Sequence, residues 1–232
     1  MFSRRQFCIG GAVMFGAPLS ACSTGEMLTL DTRSARPELA TRTLATPDYR
    51  AVYGEYPGEP FAIEPFDYSQ VDARYLRQTV DWRGPEGPGT IIVDPANKHL
   101  YFTESAGRAT RYGVGVGREG FSWSGHAQIN MKRSWPDWIP PHEMVLRSPE
   151  IVAQLEKTPR GLGVPGGPRS PLGARAMYLF GDGRDLGYRI HGTTEPETVG
   201  TNVSSGCIRM INQDIVHLYT RAAIGTRVTV LA

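Results

Sequence analysis

His191 and Cys207 are the residues of this chain whose types and spacing could do covalent chemistry. A thiolate attacks carbonyl carbons, but an unassisted thiol is mostly protonated at neutral pH. A histidine within hydrogen-bond reach takes that proton and later returns it to a leaving amine. Both residues lie in Tyr188–Asn212, YRIHGTTEPETVGTNVSSGCIRMIN, and the fifteen residues between them are enough to fold back and bring them together. The setting suggests that both are exposed: His191 ends a short apolar run before Gly192, and Cys207 follows the small residues Ser204, Ser205 and Gly206. Ser-Ser-Gly reads as a turn, which argues against the ordinary alternative of a buried structural cysteine.

Such a pair needs supporting groups. The histidine ring must be oriented by a third group; Glu195 and Glu197 sit in the loop and no aspartate is nearby, so the Gly192 carbonyl is the candidate. Ser205, Gly206 and Cys207 could turn their amides inward as an oxyanion hole, where small residues help. Arg209 leaves the site positively charged, which suits a substrate carboxylate and favours a thiolate.

The elements that must position these groups occupy the second half of the chain. Thr90–Asp94 and Lys98–Phe102 read as two β-rich runs joined by Asp94-Pro95-Ala96-Asn97, a hairpin. Arg111–Gly117 is a third strand. Ala176–Phe180 and Gly187–His191 are again strand-like, separated by Gly181-Asp182-Gly183. Asn212 is the expected N-cap of a helix through Ala223, with Ile215, Leu218, Tyr219 and Ala222 on one stripe and His217 off it, facing solvent. Thr226–Leu231 is a closing strand. Residues 118–172, with Trp123, Trp135 and Trp138, read as a long irregular insertion of the lid or binding-loop kind, with a short helix over Pro149–Glu156.

Residues 1–22 form a secretory signal: Arg4-Arg5, an apolar run from Phe7 to Leu19, then small residues. Ser3-Arg4-Arg5-Gln6-Phe7 resembles a twin-arginine signal, and Leu19-Ser20-Ala21-Cys22 resembles a lipobox, which implies lipidation of Cys22. Cys8 and Cys22 belong to that segment, so the mature chain keeps Cys207 alone, with no internal disulfide and no CxxC metal or redox site. His142-Glu143 lacks the second histidine of HExxH, Leu146 standing there, so no metal is expected. His99, in a strand without ligand-spaced partners, is structural or exposed. Residues 23–46 are a polar linker. Residues 47–88, rich in tyrosine and proline, form an N-terminal extension that wraps the domain surface or lies near its groove, with one helical turn within Val71–Val80. The domain proper spans 89–232. A net charge of +2 gives no support for nucleic-acid binding.

His191-Gly192-Thr193, followed by Ser205-Gly206-Cys207-Ile208-Arg209-Met210 and preceded by Ser170-Pro171-Leu172-Gly173-Ala174-Arg175, closely resembles the L,D-transpeptidase catalytic (YkuD) family, ErfK/YbiS-like, over about Gly89 to Ala232. The resemblance implies a mainly β fold, a sandwich of mixed sheets with a few short helices, a lid-like insertion and the cysteine in an edge groove. It implies Cys207 as nucleophile and His191 as proton carrier, with no cofactor. The implied partners are peptidoglycan stem peptides, with another stem or an outer-membrane protein as acyl acceptor; the implied setting is the periplasm, at a membrane through a lipid anchor. A monomer is expected. Many members carry histidine where this chain has Ser205, whose hydroxyl can only donate or accept a hydrogen bond. Two alternatives stand beside a transferase: a carboxypeptidase or endopeptidase with water as acceptor, and a non-catalytic wall-binding lipoprotein.

Overall fold

Ile91, Ile92 and Val93 make a continuous apolar run, the pattern of a strand buried on both faces, and that is what they form. In the computed structural model, residues 39–232 are described, apart from 41, 58, 59, 118–122 and 205. The signal segment, the proposed lipidation at Cys22 and most of the linker lie outside the described residues. In chain order the elements begin with β1 (Thr43–Ala45), α1 (Tyr49–Val52), β2 (Gln78–Asp81), β3 (Ile91–Asp94), β4 (His99–Glu104), β5 (Arg108–Gly113) and β6 (Val116–Gly117). There follow β7 (Gly125–Ser134), α2 (His142–Arg147), β8 (Glu156–Thr158), β9 (Gly161–Gly163), β10 (Arg175–Gly181) and β11 (Arg184–His191). β12 (Asn202–Ser204), β13 (Ile208–Arg209), α3 (Asn212–Arg221) and β14 (Arg227–Val230) close the chain.

The fold is mostly β, as expected. One mixed sheet runs in the order β1-β2-β5-β4-β3-β14-β7-β10-β11-β13, with β14 parallel to β3 and β13 parallel to β11. Its far edge returns to the chain just beyond β5: Gly115 and Arg209 exchange both backbone hydrogen bonds at 2.9 Å. The sheet therefore folds over on itself around one core, to which β3, β4, β7, β10 and β14 each give alternate residues, such as Leu100 and Phe102 or Met177 and Leu179. Ile215 and Leu218 of α3, with Ala222 just beyond its end, fill that core from the side. The β10–β11 connection is a two-residue turn with Asp182 at φ 49° and Gly183 at φ 75°, the left-handed pair a tight hairpin requires.

Several expectations change. Gly125–Ser134 is no irregular loop but a ten-residue strand between β14 and β10. Its period-two signal, Ala127 and Ile129 buried between exposed polar neighbours, was masked by the tryptophans and prolines around it. Thr43–Ala45, within the stretch read as linker, adds a strand to β2, and β2 itself extends the main sheet from within the extension. The extension also packs Tyr53, Val71 and Leu76 against Val199 and Ile211. His217 does not face solvent; the Tyr112 hydroxyl lies 2.7 Å from its Nδ1. His99 is structural, its Nε2 3.1 Å from the Arg74 carbonyl oxygen.

Candidate active site

Strand pairing places His191 and Cys207 on neighbouring segments of the sheet. β11 and β13 run parallel with Ile190 opposite Ile208 and His191 opposite Arg209. Ile190 and Ile208 point into the core. Alternation along each strand then sends Arg189, His191, Cys207 and Arg209 to the other face, on adjacent strands. The β-branched pair on the inner face fixes this register, since a one-residue slip would reverse every side chain.

His191 is buried rather than exposed, at 4% of its accessible surface. Its Nδ1 lies 2.5 Å from the Gly192 carbonyl oxygen, so the ring donates there and keeps Nε2 free to accept a proton. Burial pushes its pKa down to about 4; the Gly192 bond opposes this, and the Arg209 and Arg189 charges add to it. The loop beyond is held by several bonds. Gly192 N–H donates to the Arg175 carbonyl at 3.0 Å and Met210 N–H to the His191 carbonyl at 2.8 Å. Asn212 is not the N-cap, a place taken by Ile211 without a side-chain bond. Its carboxamide instead accepts from Ala174 N–H and donates to the Thr193 carbonyl, both at 2.9 Å.

Cys207 is half-buried in a cavity of about 220 Å³. Trp138, Ile139, Arg160 and Leu172 of the insertion line it, together with Tyr178 and Arg189 from β10 and β11. Burial raises the thiol above its ordinary value, while Arg189, through its charge and its backbone N–H, and Arg209 pull it down. Gly206 is buried at φ 116°, a conformation that would strain a side chain, so the turn before Cys207 needs glycine. Ser205, the other expected oxyanion residue, lies outside the described residues. Arg209 is not a free cation: its guanidinium meets Glu195 at 2.7 Å. Sequence reasoning passed over Arg189, although a residue two before His191 in a strand must share its face. No local pattern marked Arg160 or Tyr178. Among the described residues, no group of three or more His, Cys, Asp or Glu could hold a metal ion.

The profile of the YkuD family, the L,D-transpeptidase catalytic domain, matches residues 88–230. The chain belongs to that family. L,D-transpeptidases are enzymes that modify peptidoglycan. The probable L,D-transpeptidase YbiS of Escherichia coli K12 is 32% identical over 143 residues, covering 60% of this chain and 43% of that protein. The chain thus spans less than half the length of this L,D-transpeptidase relative. A Brucella melitensis protein described as a probable carnitine operon oxidoreductase is 44% identical, covering 71% of this chain and 99% of that one, with a TM-score of 0.47. An L,D-transpeptidase from Mycobacterium smegmatis is 14% identical over 68% of each chain, with a TM-score of 0.44. No helix among the described residues is long and apolar enough to cross a membrane.

Proposed function

We propose that this chain is a peptidoglycan L,D-transpeptidase with Cys207 as its nucleophile. The observation that carries the reading is the β11–β13 register, which sets Cys207 and His191 on one face, with Cys207 lining a cavity, within the matched family domain. The Cys207 sulfur attacks the carbonyl carbon of the bond between the L-centre of diaminopimelate and D-Ala in a tetrapeptide stem. His191 Nε2 takes the thiol proton and delivers it to the departing nitrogen. The C–N bond breaks, D-Ala leaves as a free amino acid, and the stem remains as a thioester. An amine then attacks the thioester carbon, loses its proton to His191, and releases the thiol. Backbone N–H groups of Gly206 and Cys207 are suited to hold the oxyanion formed in each half, and Gly192 holds the ring.

The test is to incubate the mature domain with disaccharide-tetrapeptide and follow mass. Loss of D-Ala with formation of cross-linked dimer supports transfer; loss of D-Ala alone assigns water as the acceptor. Full turnover by Cys207→Ala would overturn the nucleophile. The signal-like residues 1–22 support export, and the lipobox-like Leu19–Cys22 supports a lipid anchor at Cys22 in the cell envelope. A mature N-terminus that begins elsewhere, or carries no lipid mass, removes the anchor.

A further inference from the structure

Two guanidinium groups gather on one buried phenol inside the cavity that holds Cys207. Arg189 lies with its Cζ 4.6 Å from the centroid of the Tyr178 ring, and Arg160 places its Nη1 3.2 Å from the Tyr178 hydroxyl. Tyr178 is 1% exposed and sits opposite Arg189 in the β10–β11 pairing. The two cations differ in their partners. Asp185 holds Arg189 through both carboxylate oxygens, at 3.0 and 3.4 Å, which fixes the fork in place. Arg160 has no carboxylate within ion-pair distance among the described residues. It sits at the tip of the β8–β9 hairpin, in a turn tied by Thr158, whose hydroxyl donates to Gly161 O at 2.8 Å and accepts from Arg160 N–H at 3.2 Å. Asp137 also lines the cavity, but one of its oxygens is taken by the Gly166 N–H at 2.8 Å. A positioned, unneutralised guanidinium beside a second cation is an anion site in wait of its anion.

The proposed reaction says which anion. In the tetrapeptide donor, only the amide nitrogen and one Cα separate the attacked carbonyl carbon from the terminal carboxylate of D-Ala. That carboxylate therefore lies within about 4 Å of the attacked carbon. In a pentapeptide the terminal carboxylate would lie one residue further on, about 3.8 Å more distant. We propose that Arg160, with Arg189 and Tyr178 as its platform, binds the C-terminal carboxylate of the leaving D-Ala and so selects stems that end there. The inference rests on the transpeptidase reading and adds to it the residue that reads the donor's end. Arg209, the cation that sequence pointed to, is held by Glu195 and does not line this cavity.

The experiment compares D-Ala release from a tetrapeptide donor with alaninamide release from the same donor bearing a C-terminal carboxamide. Two further donors are amidated at the diaminopimelate and at the D-Glu carboxylate. Wild type is expected to lose about 10- to 100-fold in kcat/KM on the terminal amide, the scale of a charge-assisted hydrogen bond. Arg160→Gln is expected to lose a similar factor on the free acid and nothing more on the terminal amide, with Arg160→Lys in between. Its unfolding midpoint and Cys207 alkylation rate should match wild type, since Arg160 is exposed. Equal losses on acid and terminal amide, or discrimination that follows either of the other two carboxylates, would overturn the assignment while leaving the reaction intact. A wild type that releases no D-Ala from any donor would sink the parent reading and this one together.

Discussion

Asn212 and Gly192 are fitted to each other: the Asn212 carboxamide oxygen occupies the space that a Cβ on Gly192 would need. The same oxygen blocks a Cβ on Gly173, and it accepts the Ala174 N–H. One side chain thus joins the start of β10 to the loop whose carbonyl orients His191. Gly192→Ala is expected to lower stability by about 1–3 kcal/mol through overpacking. It should also lower kcat by roughly 100-fold, since a displacement near 1 Å in a positioned group has that effect. Asn212→Ala strands the Ala174 N–H and should cost about 1–3 kcal/mol. Thermal unfolding read beside D-Ala release checks both. Normal kcat in Gly192→Ala would show that the loop has room to relax.

Much of this arrangement was legible because strands and hairpins carry their own signals. The β3–β4 hairpin, the tight Asp182-Gly183 turn and the α3 stripe all follow from local residue types. The pairing of His191 with Cys207 was suggested by residue type and spacing and then by a resemblance, and the β11–β13 register is consistent with it. What could not be read was long-range. Nothing near Asn212 says that its amide reaches Ala174, 38 positions back, rather than capping its own helix. The same holds for Arg160 meeting Tyr178 and for Glu195 holding Arg209. The ten-residue β7 was hidden because its two buried positions are small or isolated and its flanks are rich in tryptophan and proline.

The extension docks on the first turn of α3, where Asp214 is fully buried beside Arg77 at 3.4 Å and the Tyr53 hydroxyl at 3.1 Å. Gln213 Nε2 reaches the carbonyls of Gly54 and Glu64 at 3.2 and 3.0 Å. Burial raises the Asp214 carboxyl to about 6, against the pull of Arg77 and Tyr53. A raised carboxyl stabilises the fold most below its unfolded value of 3.8 and loses that contribution as pH rises through 6. Asp214→Asn removes this dependence. The stability difference, wild type minus variant, should therefore fall by up to about 3 kcal/mol between pH 3.8 and 6 in urea titrations. Arg77→Leu leaves the buried carboxylate without its cation and should cost about 3–5 kcal/mol at pH 7. A flat difference across that pH range would mean that folding leaves the Asp214 carboxyl at its unfolded value.

Glu195 holds Arg209 from the loop, with the carboxylate more than half exposed. So exposed a pair contributes little to stability, about 1 kcal/mol or less. Its electrostatic effect on the sulfur is a separate matter, because Arg209 lowers the Cys207 pKa. Glu195→Gln should leave the unfolding midpoint almost unchanged and speed iodoacetamide alkylation of Cys207 at pH 8. Slower alkylation would indicate that Glu195 is needed to aim Arg209 at the site.

At rest the Cys207–His191 pair is neutral on both sides. Burial holds the imidazole down near 4 and pushes the thiol above its ordinary value of 9. The imidazole must be unprotonated to act as base, and it gains its proton only as pH falls through about 4. The acid limb of kcat/KM is therefore expected near pH 4 instead of 6.5. The thiolate is a minor species at neutral pH, so alkylation of the free enzyme should be slow at pH 7 and still rising above pH 9. His191→Ala should abolish turnover and barely change that alkylation profile, because no imidazolium stabilises the resting sulfur. A carbapenem presents a strained carbonyl to the same pair and should leave a covalent adduct on Cys207 in wild type but not in His191→Ala, read by mass. An acid limb near 6.5, with fast alkylation unchanged from pH 5 to 8, would instead require a preformed thiolate–imidazolium pair. A neutral resting pair keeps Cys207 unreactive until a carbonyl occupies the cavity: the proton moves only when the sulfur has a carbon to bond.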